Sequence, residues 1–282
     1  MITHSSDNVN PYLGSAKSCL VISNKDSGKS KKPTPEKLMS LFDLNENMVV
    51  YDGTQNLTDF TDIIVCGGDG TISRAVDMCK NQNHNIFYNP RGTVNDFGKI
   101  AKLSESPILG KANGKSFCYV LASGTFTSIG YTAKRNRKKL LGKLAYFIEA
   151  LKVFKVEKIN AEVTTEKEKF SGVYTLIMIL RSPRCFGFNF NRIYSSDKEE
   201  LYLLLVESPK NRLSLFFKFF RCFFIGFGKN YNKHKITFLP VKSAEISFED
   251  NLSFCLDGEK QDYKEKISVD SYIFDGKIKV KR

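Results

Sequence analysis

Cys66-Gly67-Gly68-Asp69-Gly70-Thr71 follows directly on the apolar run Ile63-Ile64-Val65. A β-branched run that breaks into glycines predicts a buried strand ending in a tight loop. The next residues place Ile72, Ala75, Val76 and Cys79 at helical spacing, so the glycines fall between a strand and a helix N-terminus. There a backbone without Cβ can approach a phosphate closely, with unpaired N–H groups aimed at it. A carboxylate inside such a loop repels an anion, so Asp69 serves more naturally through a cation or a ribose hydroxyl. A plain strand–helix turn needing positive φ accounts less well for three glycines in four positions together with Asp and Thr.

Two further polar loops follow predicted strands. Ile86-Phe87-Tyr88 leads into Asn89-Pro90-Arg91-Gly92-Thr93-Val94-Asn95-Asp96-Phe97, where Pro90 and Gly92 punctuate a turn and Thr93, Asn95 and Asp96 stand where a helix should start. Upstream, Cys19-Leu20-Val21-Ile22 leads into Ser23-Asn24-Lys25-Asp26-Ser27-Gly28-Lys29. In an open α/β sheet, loops at the carboxyl ends of the strands gather around a ligand.

Gly67-Gly68-Asp69-Gly70-Thr71 with Gly92-Thr93-Val94-Asn95-Asp96-Phe97 resembles the catalytic domain of diacylglycerol-kinase-type lipid kinases. The nearer likeness is to the small soluble bacterial members, related to sphingosine and ceramide kinases. The first motif alone is shared in similar form with NAD kinases and phosphofructokinases; the second, at this distance, belongs to the lipid-kinase branch. Asn24 and Ser27-Gly28 match that family's opening Asn-Pro-x-Ser-Gly, with Lys25 in place of proline, and Leu256-Asp257-Gly258-Glu259 matches its Asp-Gly-Glu signature. The resemblance runs from about Ala16 to the C-terminus.

It implies ATP and Mg²⁺ as cofactors, and nucleotide contacts from Asn24, Ser27, Gly28, Gly67, Gly68, Asp69, Gly70, Thr71, Gly92, Thr93, Asn95 and Asp96. A kinase must neutralise a triphosphate, position its γ-phosphoryl group and orient the accepting hydroxyl. Backbone donors of the glycine loop suit the first task, with Asp69 able to hold Mg²⁺ directly or through water. Lys29 or Arg91 offers cationic stabilisation, and Asn95 and Asp96 grip the base or support their loop. By resemblance the general base is Asp257, assisted by Glu259, and Asp197 helps hold a structural Mg²⁺. Alone, Asp257-Gly258-Glu259 reads as an ordinary hairpin turn.

Several positions depart from the family pattern. Ser73 and Arg74 stand where an Asn and a Glu are usual. Gly124-Thr125-Phe126-Thr127 replaces a Gly-Phe-Asp-Ala element, and Asp197-Lys198 replaces Asp-Gly. These leave two readings: a lipid kinase acting on diacylglycerol or a relative, or a nucleotide- and lipid-binding sensor that has lost turnover. A soluble small-molecule kinase of the NAD-kinase type is a more distant third.

Composition adds the partner question. The chain has 282 residues, enough for two cored domains, and a formal net charge of +13. Without a helix-turn-helix, zinc-finger or RNA-binding signature, nucleic acid is the weakest of the anionic partners. Seven scattered cysteines without a CxxC pair argue against a disulfide framework or zinc site and for a reduced, cytoplasmic setting. In Arg212 to Lys229, ten residues are Leu, Phe or Ile, but Lys218 and Arg221 interrupt the run. That falls short of the ~20 apolar residues of a membrane span. Two readings balance. One is an interfacial helix placing Phe216, Phe219, Phe220 and Phe223 among acyl chains, with Lys218 and Arg221 at the phosphates of an anionic membrane surface. The other is a buried helix with snorkelling cations. Lys134-Arg135-Asn136-Arg137-Lys138-Lys139, leading into an apolar helix over 140–154, reads as a solvated turn. A homodimer stays open beside a monomer.

The organisation expected is a disordered lead-in over 1–16, an α/β nucleotide-binding domain over 17–117 of the NAD kinase and phosphofructokinase layer type, and a β-rich lipid-substrate domain over 118–282. The second is a mainly antiparallel sandwich, its C-terminus free to return to the first. The interval from Gly28 to Thr61 is short for two helical crossovers, so one element should be trimmed.

Overall fold

The computed structural model describes residues 18–23, 33–45, 47–80, 82–92, 95–100, 103–105, 107–125, 127 and 156–281. The lead-in, the 134–139 basic run and the 140–154 helix lie outside the described residues, as do Asn24, Ser27, Gly28, Lys29, Thr93 and Phe126.

The apolar run that precedes the glycine loop forms the strand Asp62–Gly67, whose Ile63, Ile64 and Val65 are fully buried. It sits inside a six-stranded sheet in the order Asn47–Val50, Ser18–Ser23, Asp62–Gly67, His84–Pro90, Gly276–Val280, Leu103–Glu105. The first five run parallel, and Leu103–Glu105 closes the edge antiparallel. The chain's last strand thus lies between two strands from its first half. Burial on both faces explains the unbroken apolar runs of its central strands.

The helix Pro35–Phe42 starts with Pro at its first turn and Thr34 Oγ1 accepting from the Lys37 N–H, and it ends on Asp43 in the left-handed conformation. Its Leu38 and Phe42 pack on Cys19, Val21, Ile64 and Cys66. Between Asn47–Val50 and Asp62–Gly67 there is only a three-residue 3₁₀ helix, Leu57–Asp59. That is the trimmed crossover the short interval predicts.

The second sheet has twelve strands among the described residues and is antiparallel, as expected. It begins at Ile108–Ala112, ten residues before the composition changes. Its spine is Lys169–Leu180. The first half of that strand pairs with Ile159–Thr165 and the second half with Val120–Gly124, the switch falling at an irregularity between Tyr174 and Leu176. Val120–Gly124 in turn pairs with Leu252–Leu256, which makes a hairpin with Glu259–Tyr263.

The sequence predicts one strand over Phe117 to Ala122. The structure breaks it at Cys118 and Tyr119, between Lys115–Phe117 and Val120–Gly124. The reason is local: these backbone N–H groups bond a side-chain carboxylate instead of a neighbouring strand. One apolar cluster, from Leu20, Ile63 and Ile278 to Tyr119, Val120, Phe190 and Phe219, is shared by both sheets.

Ile278 is the side chain through which the returning strand joins that cluster. Ile278→Ala should cost about 2–5 kcal/mol, read as a lowered urea midpoint at unchanged slope.

Candidate active site

Asp257 and Gly258 form a two-residue turn between Leu252–Leu256 and Glu259–Tyr263, with φ of 50° and 98°. An Asp-Gly pair at two positive φ values is the type I′ preference of a tight hairpin. The turn reading and the functional reading therefore describe the same residues, because the turn carries the Asp257 carboxylate into the interior. Its Oδ1 accepts the Tyr119 N–H at 3.0 Å and the Val120 N–H at 2.9 Å, and its Oδ2 accepts the Cys118 N–H. The Asp257 N–H donates back to the Val120 carbonyl at 3.0 Å. Burial pushes the carboxyl up to about 6, against the pull of these three donors and the nearby Ser73 hydroxyl.

Asp69 is the first residue of the helix Asp69–Cys79, with Gly68 as its N-cap. Its Oδ2 accepts the Asp96 N–H at 2.7 Å, while Oδ1 is buried with no hydrogen-bond partner among the described residues. Burial raises this carboxyl to about 7; Asp257 and Asp96 add like-charge repulsion and the Asp96 N–H opposes the rise. The two carboxylates reported by separate motifs are thus close enough to perturb one another.

The glycines hold this proximity. A Cβ on Gly92 would fall 2.8 Å from Gly68 Cα, so the two polar loops meet backbone to backbone. A Cβ on Gly70 would fall 3.2 Å from Glu259 Oε1 and 3.6 Å from the Asp257 carbonyl, which brings the hairpin against the glycine loop. Thr71 folds back under Gly67, and the Arg91 N–H donates to the Gly67 carbonyl at 2.6 Å. Asn95 takes a φ of 48°, donates to the Gly92 carbonyl at 2.6 Å and keeps its Oδ1 buried and unpartnered among the described residues.

Asp96 is fully buried and faces the small hairpin formed by Arg184–Cys185 and Phe188–Asn189. Its Oδ1 meets Arg184 Nε at 3.0 Å and its Oδ2 accepts the Gly187 N–H at 2.9 Å. Arg184 therefore holds Asp96, whose own N–H holds Asp69. Sequence reasoning missed Arg184; Ser182-Pro183-Arg184 carries no motif, and the only signal was an arginine shortly after the apolar run that ends the strand Lys169–Leu180.

Gly67, Gly68, Asp69, Gly70, Thr71, Gly92, Asn95, Asp96, Asp257 and Glu259 are thus brought together from two sheets. Asp197 is not part of that set: it is exposed, with its carboxylate bonded to Ser196 Oγ at 2.8 Å. Among the described residues, no three His, Cys, Asp or Glu side chains are grouped to hold a metal ion. The orphaned Asp69 Oδ1 does fit a hard cation that takes most of its ligands from waters and phosphate oxygens.

The aromatic helix departs from the membrane reading in detail. Arg212–Phe220 runs on into a π-turn, Arg221–Ile225, and turns Leu215, Phe219, Cys222 and Phe223 into the core. Phe219, Phe223 and Lys218 are buried and so do not face a lipid. The Lys218 ammonium donates to the Glu207 and Lys235 carbonyls at 3.0 and 3.2 Å. Arg221 lies 4.8 Å and 4.5 Å from the Phe227 and Tyr231 ring centres. Phe216 and Phe220 are half-buried; the exposed apolar side chains are Leu213, Phe217 and Ile225. No helix among the described residues is long and apolar enough to cross a membrane.

Residues 18–115 match the family model of the diacylglycerol kinase catalytic domain. The chain is 23% identical over 223 residues to the diacylglycerol kinase of Bacillus subtilis, covering 72% of each, and 22% identical to that of Staphylococcus haemolyticus, covering 93% of this chain and 94% of the relative. Among solved structures it resembles a diacylglycerol kinase of Bacillus anthracis, with TM-score 0.65 and 16% identity over 94% of this chain and 97% of the other. An NAD kinase of Archaeoglobus fulgidus solved with ATP has TM-score 0.54 at 12% identity, covering 94% and 93%. The fold is thus one shared by diacylglycerol kinases and an NAD kinase, and the family match falls on the loops that the motifs singled out. Residues 18–115 carry the match to the diacylglycerol kinase catalytic domain.

Asp69 gives a stability test with a definite sign. Below about pH 4 the group is protonated folded or unfolded and costs nothing; with its folded value raised from 3.8 to about 7, stability falls as pH rises between them. Asp69→Asn should therefore melt higher than the parent chain at pH 8, by on the order of a few kcal/mol at most, and equal it near pH 4. Thermal melts across that range check this.

Proposed function

We propose that this chain is an ATP- and Mg²⁺-dependent lipid kinase, with the free hydroxyl of diacylglycerol or a related lipid as acceptor. The observation that carries the reading is the meeting of two buried, electrostatically coupled carboxylates, Asp69 and Asp257, at the contact of three glycine-bearing turns. Lipid kinase activity in the named relatives supports it.

In this reading the Gly67–Thr71 loop and Gly92 let the triphosphate approach the backbone, and Asp69 Oδ1 would hold the Mg²⁺. When bound, the ion supplies neutralisation of phosphate charge. Asp257 takes the proton of the acceptor hydroxyl as its oxygen bonds to the γ-phosphorus; the bond to the β–γ bridging oxygen breaks and ADP leaves. A carboxylate offers about four lone-pair positions, of which three are filled here by backbone donors. The fourth, beside the Ser73 hydroxyl, would take that proton, and the raised affinity brought by burial makes the group a better base near neutrality. Glu259, exposed beside Gly70, is placed to steer the acceptor.

The acceptor's insolubility asks for a surface that meets a membrane. The outer face of Arg212–Phe220 offers Leu213 and Phe217 over a groove of about 520 Å³, with the exposed cations Lys210, Arg212, Lys229 and Lys233 nearby in the chain. Peripheral docking on anionic lipid through this face is part of the proposal.

The test is radiolabelled γ-phosphate transfer to micellar diacylglycerol. Asp257→Asn should lower kcat by at least about 100-fold. The parent enzyme's kcat/KM should fall as pH drops below about 6, where Asp257 takes up its proton. Unchanged turnover in the variant would refute the base assignment. Tight binding of nucleotide and lipid with no labelled product would favour the sensor reading.

A further inference from the structure

A cleft of about 370 Å³ opens beside the carboxylate pair, lined by Gly70, Ser73, Arg74, Lys115, Leu256 and Glu259. Its cations come from different elements: Arg74 is exposed on the second turn of the Asp69–Cys79 helix, and Lys115 begins the strand Lys115–Phe117. Neither has an ion-pair partner among the described residues.

The nearby carboxylates differ in availability. Asp77, also on the wall, is held at 3.0 Å by both Lys80 Nζ and the Ser116 N–H. Glu259 stands between the cleft and Gly70, next to the Asp257 carbonyl. Arg74, Lys115 and Lys80 therefore face Asp77 and Glu259, an excess of one positive charge, with both uncommitted cations turned to the same space. Met78 and Leu256 add an apolar wall.

An anion drawn between Arg74 and Lys115 sits next to the Asp257 turn. A guanidinium can take a phosphate with two parallel hydrogen bonds, and an ammonium adds a point charge.

We propose that Arg74 and Lys115 form an anion subsite that favours acceptors carrying a phosphodiester charge beside the free hydroxyl, of the phosphatidylglycerol type, over neutral acceptors. This rests on the kinase reading and narrows its substrate class.

The experiment compares kcat/KM for phosphatidylglycerol and diacylglycerol in matched mixed micelles, using the parent chain, Arg74→Glu, Arg74→Lys and Lys115→Ala. Binding of sn-glycerol 3-phosphate and of inorganic phosphate is followed in parallel by calorimetry. The ratio of anionic to neutral acceptor should drop at least tenfold in Arg74→Glu and Lys115→Ala and less in Arg74→Lys, which keeps the charge but loses the paired hydrogen bonds. Glycerol phosphate binding should be lost with it. An unchanged ratio, or a parallel fall for both acceptors, would overturn the proposal. Binding of inorganic phosphate that depends on Arg74 without any change in the ratio would make this a free-phosphate site and overturn the lipid assignment. If the parent chain phosphorylates neither lipid, the kinase reading fails by itself, and glycerol phosphate binding decides the subsite: dependence on Arg74 upholds it and independence overturns it.

Discussion

The carboxylate of Asp257 is the point at which the molecule's two sheets and its chemistry are joined. It fills three backbone N–H groups at Cys118, Tyr119 and Val120, which would otherwise be buried without partners. In doing so it breaks a strand, fixes the hairpin end beside Gly70 and becomes a buried charge. Without that acceptor the 118–120 backbone would need another set of partners, and the hairpin would lose its hold on the glycine loop.

The cost of this arrangement is electrostatic. Two carboxylates in a low-dielectric interior repel each other and resist ionisation, and no lysine or arginine among the described residues forms an ion pair with either. Arg184 acts one step removed: it neutralises Asp96, and the Asp96 backbone N–H then bonds Asp69. The site is thus held together by backbone donors and a relayed ion pair, and both carboxyls keep a raised proton affinity. A site destabilised in this way is a common accompaniment of function. It also makes Asp69, with its orphaned oxygen, the natural place for a bound cation to add stability.

The sequence reports this fold at the points where chemistry constrains the backbone. Glycines at 67, 70 and 92 are legible because a Cβ there would crowd a neighbouring loop or side chain, and apolar runs such as Ile63–Val65 are legible because both faces are covered. Even the shortened crossover before Thr61 follows from chain length alone. What depends on long-range pairing was hidden. Arg184 meets Asp96 across 88 positions, and no local pattern announces it. The break at Cys118 is invisible because its cause lies at Asp257. The aromatic helix misled in part because Lys218 finds two backbone carbonyls, so a charge expected to mark the outer face lies inside. Phe217 and Leu213 carry the exposed face instead.

The central claim is that Asp69 and Asp257 form a buried, mutually repelling pair. Carbon-13 NMR titration of aspartate carboxyls, assigned with Asp69→Asn and Asp257→Asn, tests it most directly. The account predicts two carboxyls that titrate near 6 and 7, with that of Asp69 shifting downward when Asp257 is replaced. Two independent titrations at about 4, the ordinary range for a solvated aspartate, would contradict it.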